Sequence, residues 1–123
     1  MVNGRKKILI IGNGDAVSRA VESALQEFAD VKTVTAGFNV AECLGEEYFD
    51  VIILDLDFKN GDCLKILSEI KSRCRTQVLG MFDACPPERL KKAIDIGLAD
   101  YFIKSAAAVG GIADFVKKFL EEK

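Results

Sequence analysis

The sequence predicts a doubly wound α/β domain: five parallel strands in one sheet, with helices on both of its faces. Three observations carry this. Short apolar runs alternate along the chain with segments of helical periodicity. Each strand-plus-helix unit is roughly two dozen residues long, which suits βα units joined by right-handed crossovers. The runs at 8–11 and 51–54 are apolar at every position, as in strands covered on both sides rather than one.

Taken in order, residues 8–11 form the first strand and are stopped by Gly12-Asn13-Gly14. Val17, Ala20, Val21, Ala24, Leu25 and Phe28 then mark one stripe of an amphipathic helix. Residues 31–36 are a second strand. Asn39 follows as a helix cap, with Glu42 three positions on as in a capping box, and Val40, Cys43 and Leu44 as the buried face. Residues 49–55 are the strongest strand of the chain and end in the acidic loop 56–62. Cys63, Ile66, Leu67, Ile70 and Cys74 repeat the helical stripe. A fourth strand at 77–82 precedes Pro86-Pro87, which suit a first helical turn where no N–H is needed. The stripe of that helix is Leu90, Ala93, Ile94, Gly97 and Leu98. Residues 100–104 are the fifth strand, and Gly110-Gly111 opens a last helix with Ile112, Phe115, Val116, Phe119 and Leu120 facing inward.

Composition narrows the function. The 123 residues suffice for one core, so residues 1–123 are read as a single domain. With 17 basic and 19 acidic residues the net charge is −2, which argues against a broad nucleic-acid footprint. No apolar run is long enough to cross a bilayer, and the basic start at 5–7 is followed by too few apolar residues for a signal peptide. The expected setting is cytoplasmic, with no membrane and no direct nucleic-acid partner. Histidine is absent, which removes the usual general base and the commonest zinc ligand. The four cysteines, at 43, 63, 74 and 85, form no Cys-x-x-Cys pair and are read as reduced thiols rather than disulfides or a zinc site.

In a doubly wound sheet, ligands bind beyond the carboxyl ends of the strands. The residues placed there are 12–15, 55–57, 82–83 and 104–105. Asp55 ends the most hydrophobic strand and Lys104 ends the fifth. Such a pair can be a phosphoryl acceptor with its neutralising cation, or a structural ion pair closing the sheet edge. Asp15, Asp57, Asp62 and Asp83 are further loop carboxylates. One or two of them beside Asp55 would suit magnesium, while Asp15 and Asp62 equally suit helix caps. Gly12-Asn13-Gly14 lacks the third glycine of a dinucleotide fingerprint, since position 17 is valine, and reads as a tight turn.

Asp-Val-Ile-Ile-Leu-Asp at 50–55 and Gly-Leu-Ala-Asp-Tyr-Phe-Ile-Lys at 97–104 resemble two segments of the receiver domain of two-component response regulators, and the likeness runs along essentially the whole chain. The resemblance implies a flavodoxin-like sheet of strand order 2-1-3-4-5. It places the phosphoacceptor on Asp55, the phosphoryl-contacting lysine on Lys104, and the aromatic switch position on Tyr101. It also implies a phosphorelay setting, with a sensor histidine kinase or another signalling protein as partner. No enzymatic activity is expected beyond autophosphotransfer to Asp55.

The departures from the family pattern matter as much. The acidic pair that holds magnesium is replaced by Gly12 and Asn13, the hydroxyl residue after the fourth strand by Phe82, and the proline after the lysine by Ser105. Phe58-Lys59 stands for Met-Pro, and Cys63 for a helix-opening glycine. A residual magnesium site would draw on Asn13, Asp55 and Asp57. These losses favour a degenerate receiver acting as an interaction module. Two alternatives stand beside it: a phospho-accepting receiver with an altered metal site, and a small flavodoxin-like binder of nucleotide or flavin. The expected contact face is the fourth helix, fifth strand and fifth helix. There Lys91, Lys92, Asp95, Asp100, Asp114, Lys117 and Lys118 can pair across a two-fold axis in a homodimer. Phe82 is also expected to fill the space into which Tyr101 would swing, holding Tyr101 in one rotamer.

Overall fold

The first and third strands are apolar and buried over residues 8–11 and 51–54, and two helix layers divide those side chains between them. A computed structural model of the chain describes residues 5–12, 14–35, 39–57, 62–104 and 109–121. The elements run β1 (Lys6–Ile11), α1 (Ala16–Leu25), β2 (Ala29–Val34), α2 (Val40–Glu46), β3 (Val51–Asp55), α3 (Asp62–Arg73), β4 (Gln77–Phe82), α4 (Pro87–Ile96), β5 (Asp100–Ile103) and α5 (Val109–Glu121). They form one five-stranded sheet of order β2-β1-β3-β4-β5, with every pairing parallel, as the sequence predicts.

The strand period of two sorts the core into halves. Leu9, Ile11, Ile52, Leu54 and Val78 face α2, α3 and α4, joined by Val40, Cys43, Cys63, Leu67, Ile70 and Ala93. Ile8, Ile10, Val51, Ile53, Leu79 and Met81 face α1 and α5, where Val21, Leu25, Ile112, Val116 and Leu120 meet them. Fully burying one such side chain contributes about 1.5–3 kcal/mol, so these two layers fix the register of the sheet. The register then decides where the strand ends fall, Asp55 opposite Met81 and Phe82 opposite Ile103.

Local signals set the helix ends. Asn39 accepts from the Glu42 N–H at 2.9 Å, and Asp15 accepts from the Ser18 N–H at 2.7 Å, so both are N-caps. Gly97 closes α4 at φ 137°, a conformation that disfavours any side chain. Gly14 has φ 82°, which explains the glycine before Asp15 as a turn requirement rather than a cofactor fingerprint.

Several expected boundaries shift. β2 begins at Ala29, two residues early, because Ala29 pairs with Lys6 and is buried against α1. α5 starts at Val109 rather than Gly110. Ile94 belongs to no core: it is 47% exposed, since α4 sits at the end of its layer and turns only Ala93 fully inward. Cys74 and Phe28 lie just past their helices. All four thiols are free, two buried and two half-buried. Among the described residues, no helix is long and apolar enough to cross a membrane.

Candidate functional site

The carboxyl edge of the sheet gathers the residues singled out from sequence around one ammonium group. Lys104 is buried just past β5, and its backbone N–H is fixed to Phe82 O at 2.9 Å. Its Nζ lies 2.9 Å from Asp55 Oδ2, 3.0 Å from Asp57 Oδ2 and 3.1 Å from Asp15 Oδ2. Asp55 is wholly buried at the end of β3. Its second oxygen accepts from the Asp57 N–H at 2.8 Å, so both carboxylate oxygens are engaged.

The three carboxylates are not equivalent. Burial pushes the Asp55 carboxyl above its ordinary value, outweighing the Asp57 N–H and the Lys104 ammonium. Burial also acts on Asp57, but the Asp83 N–H, Lys104 and the Ala84 N–H together hold it below the usual carboxylate range. At Asp15 the Ser18 N–H and Lys104 overcome burial and bring the carboxyl down to about 2. Burial alone would lower Lys104, yet Asp55, Asp57 and Asp15 lift it above the ordinary lysine value. The cluster thus sets one carboxyl raised by burial beside two lowered ones and a raised ammonium. Its polar groups are satisfied by one another, which is the condition for burying them.

From the sequence, Asp15 reads as a magnesium candidate or a helix cap, and not as a partner of Lys104. It is a cap and a Lys104 partner together, one oxygen serving each role. No local pattern announces the second role, because Lys104 is 89 positions away. Asp62 heads α3 and is exposed, and Asp83 contributes its N–H to Asp57. Asn13, Ser105 and residues 58–61 lie outside the described residues.

The carboxylates fit an ammonium in this arrangement rather than magnesium. The point on which all three converge is occupied by Lys104 Nζ, whereas magnesium requires oxygens at roughly 2.0–2.1 Å in an octahedron. Among the described residues, no group of three or more acidic or thiol side chains is placed to hold a metal ion. Cys63 at the head of α3 is buried, and burial pushes its thiol up to about 11.

Around this cluster, Phe82 is buried at the end of β4 and packs against Tyr101, ring centroids 5.6 Å apart and planes tilted by 38°. Tyr101 is 39% exposed on β5. Residues 8–120 match the response regulator receiver domain family. The chain belongs to that family. No curated protein matches it. Among solved structures, the receiver domain is similar to a CheY-like receiver domain protein of Methanospirillum hungatei, with 18% identity, a TM-score of 0.78, and 97% of this chain and 96% of that one covered. It is also similar to an orphan response regulator of H. pylori, with 20% identity, a TM-score of 0.77, and coverage of 97% and 99%. A third is the BeF3-activated receiver domain of DrrB, whose organism is Thermotoga maritima, with 25% identity, a TM-score of 0.74, and coverage of 95% and 98%. The domain is thus a signalling module of two-component systems, a class whose members work with histidine kinases and other signalling proteins and are generally not enzymes.

Proposed function

We propose that this receiver domain acts as a phosphorylation-independent protein-interaction module. The observation that supports it most is the closure of the cluster around Asp55. A phosphoacceptor must present a carboxylate oxygen to an incoming phosphorus atom. Asp55 is fully buried, and both of its oxygens are engaged by groups of the chain itself. Phe82 offers no hydroxyl to a phosphoryl group, and with Lys104 at the point where Asp15, Asp55 and Asp57 converge, the module needs no magnesium.

The contact face is α4, β5 and α5. Ile94, Tyr101 and Ile103 are 47%, 39% and 43% exposed there, beside the exposed charges of Lys91, Lys92, Asp95 and Asp100. An apolar centre rimmed by charge is the composition of a protein contact surface.

Incubation with acetyl phosphate and magnesium, followed by intact-mass measurement, tests the reading. The expected result is little labelling. The triple change Gly12→Asp, Asn13→Asp and Phe82→Thr should raise it. Rapid labelling of the unmodified protein at Asp55 would overturn the proposal and make the domain a phosphoacceptor.

A further inference from the structure

Asp57 does more than neutralise Lys104. Its Oδ2 accepts from the Asp83 N–H at 2.8 Å as well as meeting Lys104 Nζ, and its Oδ1 accepts from the Ala84 N–H at 3.1 Å. One carboxylate therefore ties the end of β3 to the lysine after β5 and to the first two residues after β4. An ammonium and two successive backbone N–H groups are the donors that an incoming oxyanion would use, and the chain's own side chain already fills them. The same corner is fastened a second time, since Arg89 of α4 donates to Leu56 O at 3.1 Å and the Leu56 N–H donates to Met81 O at 2.8 Å. α4 itself begins at Pro86-Pro87 with no side-chain cap.

We propose that Asp57 is a built-in anion that latches the loop between β4 and α4 in one conformation, so that the position of α4 is set by this residue and not by the chemical state of Asp55. The proposal rests on the reading of the domain as a phosphorylation-independent module, and it names what keeps that module in a single shape. Asp55 lies behind Asp57, bonded to its N–H and to Lys104. Loss of charge at Asp55 leaves the Asp57 bonds to Asp83 and Ala84 in place.

Amide hydrogen exchange of Asp83 and Ala84, followed by NMR in the full chain, tests this, with the Ile53 amide of β3 as an internal reference. In Asp57→Ala the two loop amides should exchange at least about tenfold faster relative to Ile53, the loss expected for a charge-assisted hydrogen bond. Asp57→Asn keeps the shape and an acceptor oxygen but not the charge, and should fall between. Asp55→Asn should leave both amides within about twofold of the unmodified protein. Unchanged exchange in Asp57→Ala, or equal loosening in Asp55→Asn, would overturn the latch. If the alanine variant fails to fold, Asp57→Asn decides, and exchange no faster than in the unmodified protein counts against the proposal. Labelling of Asp55 is judged separately. Should the unmodified protein label rapidly, retained protection at Asp83 and Ala84 in the labelled form would support the latch, and lost protection would overturn it together with the functional reading.

Discussion

Replacing Lys104 by methionine keeps most of the side-chain volume and removes the cation that pairs with the wholly buried Asp55. At 2.9 Å and an effective dielectric of about 20, the Lys104–Asp55 attraction is about 6 kcal/mol before desolvation is subtracted. Removing one partner of such a pair leaves an uncompensated buried charge and costs about 3–5 kcal/mol. The Asp15 contact adds little, because the Asp15 side chain is 40% exposed and solvent screens it. For a domain of total stability about 5–15 kcal/mol, the variant should therefore be strongly destabilised at pH 7. The sign of the pH dependence follows from Asp55. Its carboxyl is raised by burial even with Lys104 present, and it rises further without it. A group with a raised folded pKa contributes stability below its unfolded pKa and loses it as pH rises through the folded value. The penalty of Lys104→Met should thus shrink as pH falls toward the ordinary carboxylate value of about 4. Urea unfolding at several pH values measures it, and Lys104→Met with Asp55→Asn should recover much of the loss at pH 7. A cost below about 1 kcal/mol at pH 7, with no recovery in acid or in the double variant, would refute the reasoning.

Asp15→Ala removes both a helix cap and a lysine contact and should cost about 1–2 kcal/mol, whereas Asp15→Asn keeps the cap and should cost much less, as thermal unfolding would show. Because the Asp15 carboxyl is held at about 2 against an ordinary 3.8, its contribution is present above the ordinary value and is lost as pH falls toward 2. The acid-unfolding profile of Asp15→Asn should accordingly be shallower in that window than that of the parent. A Cβ at Gly80 on β4 would sit 2.9 Å from Leu56 Cδ1 and 3.0 Å from Leu98 Cδ2, so Gly80→Ala should destabilise by about 1–3 kcal/mol through overpacking, read as a lowered urea midpoint.

The fold was legible because its signal is local. The runs 8–11 and 51–54 carry their two-sided burial in their composition, and Asn39 and Pro87 carry helix starts. Gly97 and Leu98, read as part of the fourth helix's stripe, lie past its end, Gly97 as the cap. Asp55 and Lys104 were legible as a pair because each closes a recognisable strand segment. What local pattern does not encode is where a loop side chain ends up once the sheet has assembled. Asp15 reads as a cap within its own turn, and its bond to Lys104 exists only because β1 and β5 end at the same edge. Asp57 could be placed near that edge by its spacing from Asp55, but its grip on Asp83 and Ala84 depends on β3 and β4 being neighbours in register. Ile94 was misread for the converse reason. Helical spacing put it on the stripe, and only the position of α4 at the end of its layer leaves it exposed.

The ammonium at the centre of the cluster arrives last along the chain. Lys104 lies 49 positions from Asp55 and 89 from Asp15, so its docking closes long loops between distant parts of the chain. A chain that has assembled β1, β3 and β4 but not yet β5 holds Asp15, Asp55 and Asp57 at one edge without the Lys104 ammonium. Without that lysine their mutual repulsion goes uncompensated. Docking of β5 therefore brings the counter-charge for three loops at once, so the last strand and the polar cluster are completed by the same residue.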